Sequence, residues 1–106
     1  MHRFLAAAAL IFLCVAAQAA APPRPAKLGL CAACHGVDGH SHVAGTPHLA
    51  GQDETYLINA LAAYRDGSRK AVPMNSIANT LQPRDIAALA RWYSQQPAAR
   101  APMAKP

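Results

Sequence analysis

The apolar positions of this chain fall into one long block followed by short periodic stretches. Phe4 to Ala17 is an almost unbroken apolar run behind Met1-His2-Arg3. Ala20 to Pro25 is Pro-rich and predicts an extended leader. Ala26 to His35 predicts a short helix, whereas Gly36 to Gly51, with its glycines, Pro47 and His40, His42 and His48, predicts a loop. Asp53 and Glu54 then place negative charge in the first turn of the clearest helix, where the helix dipole favours it. Leu57, Leu61 and Tyr64 recur at i, i+4, i+7 as one apolar stripe, and Gly67 is placed to end the helix. Ser68 to Pro73 reads as a connection and Asn75 to Leu81 as a further short helix. Pro83 suits the N1 position of a last helix, with Asp85 in its first turn, Ile86, Leu89, Ala90 and Tyr93 on its apolar face, and Pro97 as its stop. No segment alternates long enough to make a strand, and no internal repeat is present. The expected class is all-α, with about four short helices.

The first block is expected to lie outside the folded domain. Residues 1–19 have the positive start, the apolar centre and, at Ala17-Gln18-Ala19, the small-x-small pattern of a cleaved signal peptide. An uncleaved membrane anchor is the alternative, although the apolar core is short for a span of about 20 residues. Cys14 would leave with the signal, and Phe12 and Leu13 are not the small residues that lipidation needs. The expected organisation is a leader over 20–25, one domain over 26–97 and a disordered tail over 98–106. Once the signal is removed, nothing is expected to span a membrane, and the expected location is the periplasm.

Export changes the meaning of the cysteines. The mature chain keeps Cys31 and Cys34, and in an oxidising compartment such a pair invites a disulfide, a metal or a covalent cofactor. A domain of fewer than about 100 residues also has little core volume and usually needs a staple. The formal charge of +5 fits ordinary solubility or steering toward an acidic partner surface. No basic run is longer than Arg69-Lys70, so a nucleic-acid partner is not expected.

The chemistry centres on Cys31-Ala32-Ala33-Cys34-His35. On a helix, Cys31, Cys34 and His35 stand at i, i+3, i+4 and share a face. Two thiols so placed can add to the two vinyl groups of one haem, and the imidazole can reach its iron; Cys-x-x-Cys-His is the recognised attachment pattern. Three other chemistries use the same residues. A thiol–disulfide oxidoreductase would need a βαβ setting. A zinc site could pair the thiols with two of His40, His42 and His48. A structural disulfide is the third.

Further motifs follow in order: His48-Leu49-Ala50-Gly51-Gln52, Tyr64-Arg65-Asp66-Gly67-Ser68-Arg69, Pro73-Met74, Leu81-Gln82-Pro83-Arg84-Asp85-Ile86 and Ala90-Arg91-Trp92-Tyr93. With the pentapeptide they make Lys27 to Gln96 resemble a class I cytochrome c of the small bacterial c4/c553-like group. The resemblance implies a cytochrome c fold wrapped around one covalent haem c, with the first and last helices crossing. It implies His35 and Met74 as axial iron ligands and the Pro47 carbonyl as the acceptor that orients His35. The anionic propionates want donors or cations, for which Arg65, Arg69, Lys70 and Trp92 are candidates; Tyr64 and Tyr93 are expected to pack rather than relay electrons. The roles of His40, His42 and His48 stay open between a solvated loop, a weak metal site and a pH-responsive patch.

The function so implied is one-electron transfer between a donor enzyme and an acceptor oxidase or reductase, without catalysis. Two alternatives remain: a fixed electron-entry subunit of a larger complex, and a sensor or enzyme with an open iron site should Met74 not bind. The departures are a short, proline-broken segment before Cys31, Gly29 close to the haem motif, and Gln82 where a Ser or Asp cap is typical, a weaker helix start by up to about 1 kcal/mol. Oligomeric state and partner identity are not legible in the sequence.

Overall fold

Regular structure starts where the prolines of the leader end. The computed structural model describes residues 11–16 and 20–98. The start of the apolar run, the expected cleavage site at Ala17-Gln18-Ala19 and the tail after Ala98 lie outside the described residues. Residues 11–16 and 20–25 carry no helix or strand. The described residues form four helices and no strand, an all-α fold as expected: α1 Leu28–His35, α2 Glu54–Asp66, α3 Met74–Ala78 and α4 Pro83–Ser94. No helix among them is long and apolar enough to cross a membrane.

Each boundary has a local cause. Buried Pro25 accepts the Leu28 N–H at 3.2 Å, so α1 starts at Leu28 rather than at Ala26. Asp53 caps α2, its Oδ1 accepting the Tyr56 N–H at 2.7 Å, and Gly67 ends it in the left-handed region at φ 82°. α3 starts one residue before the expected Asn75 and stops at Ala78, where the Thr80 hydroxyl donates to the Ile77 carbonyl at 2.7 Å. Gln82 makes no side-chain cap, yet α4 is not left open. Asp85 Oδ2 accepts the Gln82 N–H at 2.8 Å, and Pro83 stands in the first turn, where a missing N–H costs nothing.

α2 packs against α4 and α3. Ile86, Leu89, Ala90 and Tyr93, the expected face of α4, are all buried, and they share one cluster with Leu28, Cys31, Leu57 and Leu81. α1 meets α4 within that cluster, and Lys27 at the start of α1 stands 3.8 Å from Asp85 of α4. A Cβ on Gly29 would meet nothing within 4 Å, so no close helix crossing depends on that glycine. The far end of α4 is instead tied to the loop after α1. Tyr93 Oη donates to the Gly36 carbonyl at 2.9 Å, Trp92 Nε1 to the Val37 carbonyl at 2.7 Å, and Gly51 N–H to the Tyr93 carbonyl at 3.0 Å.

Gly39 folds the loop back on itself. It is buried at φ 78°, its carbonyl accepts the N–H groups of Leu49 (2.8 Å) and Ala50 (3.2 Å), and a Cβ there would lie 2.5 Å from Ala50 N. Gly39→Ala is therefore expected to destabilise by at least about 2 kcal/mol, from left-handed strain plus overpacking. Gly29→Ala, in the open part of α1, should be neutral or stabilising by up to about 1 kcal/mol. Thermal unfolding of the two purified variants checks both, and equal midpoints would contradict this account of the loop.

Candidate functional site

Cys31, Cys34 and His35 occupy the last two turns of α1 on one face, where their spacing puts them. They line a cavity of about 440 Å³ whose other walls come from the 45–49 loop, α2, α3 and α4. Most of the lining is apolar, including Leu30, Leu57, Leu61, Ile77 and Leu89. The α2 stripe that periodicity marks as buried is thus largely cavity wall: Leu57 is buried, while Leu61 and Tyr64 keep part of their surface open toward the cavity.

The His35 ring is fixed from behind. Its Nδ1 lies 2.8 Å from the Pro47 carbonyl oxygen. A carbonyl only accepts, so the proton is assigned to Nδ1 and Nε2 keeps its lone pair, the tautomer a metal needs. Ser41 steadies the same region, its hydroxyl donating to the Cys34 carbonyl at 2.9 Å. Burial pushes the Cys31 thiol up to about 11. It is therefore protonated at neutral pH, the opposite of the lowered pKa by which an exchanging Cys-x-x-Cys works. With no strand beside it among the described residues, the thiol–disulfide oxidoreductase reading has no structural support.

Met74, the first residue of α3, lines the same cavity. So does Arg69, held between two aromatic rings: Nη1 donates to Tyr56 Oη at 3.3 Å, and the guanidinium carbon stands 4.8 Å from the Tyr64 ring centroid. The Tyr56 hydroxyl, and after it Tyr64, raise the Arg69 pKa further, which keeps a cation at the cavity edge. Arg65, Lys70 and Trp92 are not brought there. Arg65 is one residue beyond Tyr64, about 100° around the helix, and lines a separate groove with Ile58 and Ile86. Lys70 is exposed outside the cavity wall, and Trp92 spends its only side-chain donor on Val37. Of those four candidates, only Arg69 lines the cavity.

Tyr93 lines the cavity and donates its hydroxyl proton to Gly36, while burial raises the phenol pKa strongly, with the charges of Cys31 and Asp38 adding to it. It is a neutral packing and bonding residue. Tyr56 was missed in the sequence. Its signal is the i, i+4, i+8 row Tyr56-Ala60-Tyr64, all three of which line the cavity.

The loop histidines do not gather into a metal site. His40 Nε2 lies 2.9 Å from the Pro97 carbonyl, His48 Nδ1 accepts the Ser41 N–H at 2.8 Å, and their ring centroids are 5.9 Å apart. His42 is exposed. Among the described residues no three His, Cys, Asp or Glu side chains are placed to hold a metal ion. The donor set instead fits a flat macrocycle: two thiols and one imidazole on a single helical face, a thioether on another wall, apolar surface between them and a cation at the edge.

The comparisons with known proteins agree. Residues 26–97 match the cytochrome c family. Cytochrome c-554(548) of Halomonas halodenitrificans is 47% identical over 73 residues, 66% of this chain and 88% of that protein. A thiosulfate dehydrogenase electron acceptor of Thiomonas intermedia is 41% identical, over 90% of this chain and 44% of that protein. The solved cytochrome c4 of Acidithiobacillus ferrooxidans shares the fold at a TM-score of 0.58 and 34% identity, covering 61% of this chain and 37% of that one. The chain thus spans most of the first relative and less than half of the other two. On the match, the helical fold and the thiol–imidazole face of the cavity, the chain belongs to the cytochrome c family, as a class I c-type cytochrome that carries electrons on one covalently bound haem c.

Proposed function

We propose that this chain is an exported one-electron carrier whose haem is attached through Cys31 and Cys34 and held axially by His35 and Met74. The observation that carries the reading is the single cavity lined both by the Cys31–Cys34–His35 face of α1 and by Met74 of α3. His48 is the other imidazole of the lining. Its Nδ1 is engaged by Ser41, and it neighbours Pro47, which backs His35, so it belongs to the His35 side. Met74, the thioether on the α3 wall, is assigned the opposite side.

The haem supplies a one-electron couple, and the chain's residues decide how it is used. An imidazole and a thioether together leave no coordination position for dioxygen, peroxide or substrate. The thioether is soft and uncharged and favours the ferrous state, which raises the potential. The apolar wall of Leu30, Leu57, Leu61 and Ile77 excludes water and disfavours added positive charge at the metal. Arg69, between its two tyrosines, is the wall's cation for a propionate. These roles make a site that changes oxidation state with little rearrangement.

Export rests on the signal-like residues 1–19, with a mature chain starting near Ala20 and a periplasmic location. The test is a mass spectrum of the secreted protein together with an optical redox titration. The expected polypeptide starts near Ala20 and carries one haem by mass. Its oxidised form shows the weak far-red band of a thioether–ferric bond. An unmodified polypeptide mass, or a high-spin oxidised spectrum, would refute the reading.

A second reading is favoured by the likeness to the Thiomonas protein over 90% of this chain. In it the protein is the dedicated electron acceptor of a dehydrogenase, held as a subunit of a larger complex. Co-purification with a dehydrogenase from the native cell separates this from a free shuttle.

A further inference from the structure

We propose that Asn75 is the positioning residue that keeps Met74 in its axial place, by tying the loop before Met74 to the end of α2. The inference rests on the reading of Met74 as the sixth ligand and assigns the restraint that holds it there.

The loop has little else to hold it. Val72 is 99% exposed to the space outside the polypeptide and Pro73 is exposed as well, and both line the cavity, so the polypeptide itself gives the two residues leading into Met74 little packing. Segments with few buried apolar contacts open first unless hydrogen bonds restrain them. Here one side chain supplies most of that restraint. Asn75 Nδ2 donates to the Tyr64 carbonyl at 2.8 Å and to the Arg69 carbonyl at 2.8 Å, while Oδ1 accepts the Ala71 N–H at 2.9 Å. The Asn75 backbone N–H returns to the Ala71 carbonyl at 3.1 Å. Ala71 and Asn75 are thus bonded to each other in both directions, with Val72, Pro73 and Met74 in the closed span between them.

The other two bonds anchor that span to the frame of the site. Tyr64 is in the last turn of α2, where carbonyls have no partner within the helix. Its ring lines the cavity under Arg69. Arg69 is itself fixed, its N–H reaching the Ala63 carbonyl at 3.1 Å. Asn75 therefore links three backbone positions, and Met74 is the residue directly before it. The amide is the required chemistry, since it offers two donors and an acceptor at one planar end. A carboxylate in the same shape keeps the bond from Ala71 but turns lone pairs toward two carbonyl oxygens. A methyl group leaves all three backbone groups without their partner.

The expected consequence is easier release of Met74 without loss of the haem. An added ligand can bind ferric iron only in molecules whose Met74 has left, so its apparent affinity rises with the open fraction. The experiment measures cyanide binding to the ferric holoprotein, the pH at which the far-red band disappears, and thermal unfolding. It compares wild type, Asn75→Asp, Met74→Ala and Ile86→Ala. Asn75→Asp should bind cyanide at least about tenfold more tightly than wild type, about 1.4 kcal/mol, and lose the band at lower pH. Ile86→Ala, a core truncation in α4, should lower the unfolding midpoint with cyanide affinity unchanged.

Should Asn75→Asp not accumulate with haem, Asn75→Ser is measured in its place against the same expectations. Unchanged cyanide affinity in the Asn75 variant, with a clear gain in Met74→Ala, overturns the proposal and leaves the ligand assignment standing. An equal gain in Ile86→Ala also overturns it, because the effect would then be general destabilisation. No gain in Met74→Ala overturns the ligand assignment and the proposal with it.

Discussion

On the proposed ligation, Met74→Ala should leave the haem covalently attached and open one axial position. Cys31 and Cys34, the proposed points of attachment, and the Pro47-backed imidazole of His35 all lie on the α1 side of the cavity, and the substitution touches none of them. Alanine carries no donor atom, and the other imidazole of the lining, His48, is committed to Ser41 on the loop beside Pro47. The ferrous variant should therefore bind carbon monoxide at least about tenfold more tightly than wild type. Its potential should fall by on the order of 0.1 V, within the roughly 0.8 V that axial ligands command. The direction follows from replacing a soft, neutral thioether by water, which stabilises the ferric state. Folding should change much less, since Met74 is only partly buried at the start of a short helix. Optical titration with carbon monoxide and spectroelectrochemistry check both effects. Wild-type affinity and potential in the variant would remove Met74 from the iron and reopen the sensor or enzyme reading.

The parts of this site that a sequence displays are those fixed by local spacing. Cys31, Cys34 and His35 share a face because a helix repeats every 3.6 residues, and α1 is helical across all of them. α2 was legible at both ends through Asp53 and Gly67, and α4 through Pro83 and its buried face of Ile86, Leu89, Ala90 and Tyr93. What periodicity cannot tell is what covers a stripe. Leu57, Leu61 and Tyr64 read as one apolar stripe; all three line the cofactor cavity, and Leu57 and Leu61 also pack on the cluster shared with α4.

Distance along the chain hides the rest. Trp92 bonds to Val37 and Tyr93 to Gly36 across the whole domain, and no local pattern separates those partners from haem propionates. Arg65 and Arg69 look equivalent in the sequence. Phase on α2 turns Arg65 away, whereas the bend after Gly67 returns Arg69 over Tyr64. Asn75 reads as one polar residue of a short helix, because its three bonds run to backbone groups that carry no sequence signature. The weak cap expected at Gln82 was a local inference overridden by its neighbour, since Asp85 satisfies the same N–H from the other side.

Removing both thiols, by Cys31→Ala with Cys34→Ala, should have the largest effect of all, the loss of the fold as well as of the covalent bond. The buried cluster is small. Leu28, Leu81 and Leu89 are its largest fully buried side chains, and Cys31, Leu57, Leu89, Ala90 and Tyr93 belong to it while also lining the cavity. The cofactor therefore fills the space against which more than half of the buried cluster packs. Without the cofactor that apolar wall faces water or collapses, and either outcome loses burial on which a domain of about 5–15 kcal/mol total stability depends. His35 and Met74 could still hold haem by coordination, but that bond releases haem to acidified organic solvent, whereas thioethers do not. Expressed through the same export route, the double variant should yield little secreted protein, no unextractable haem, and a helical circular dichroism signal well below wild type without a cooperative melt. A colourless double variant that melts cooperatively with native helix content would show that the polypeptide holds this shape unaided, and the account of the cavity as the unfilled centre of the core would be wrong.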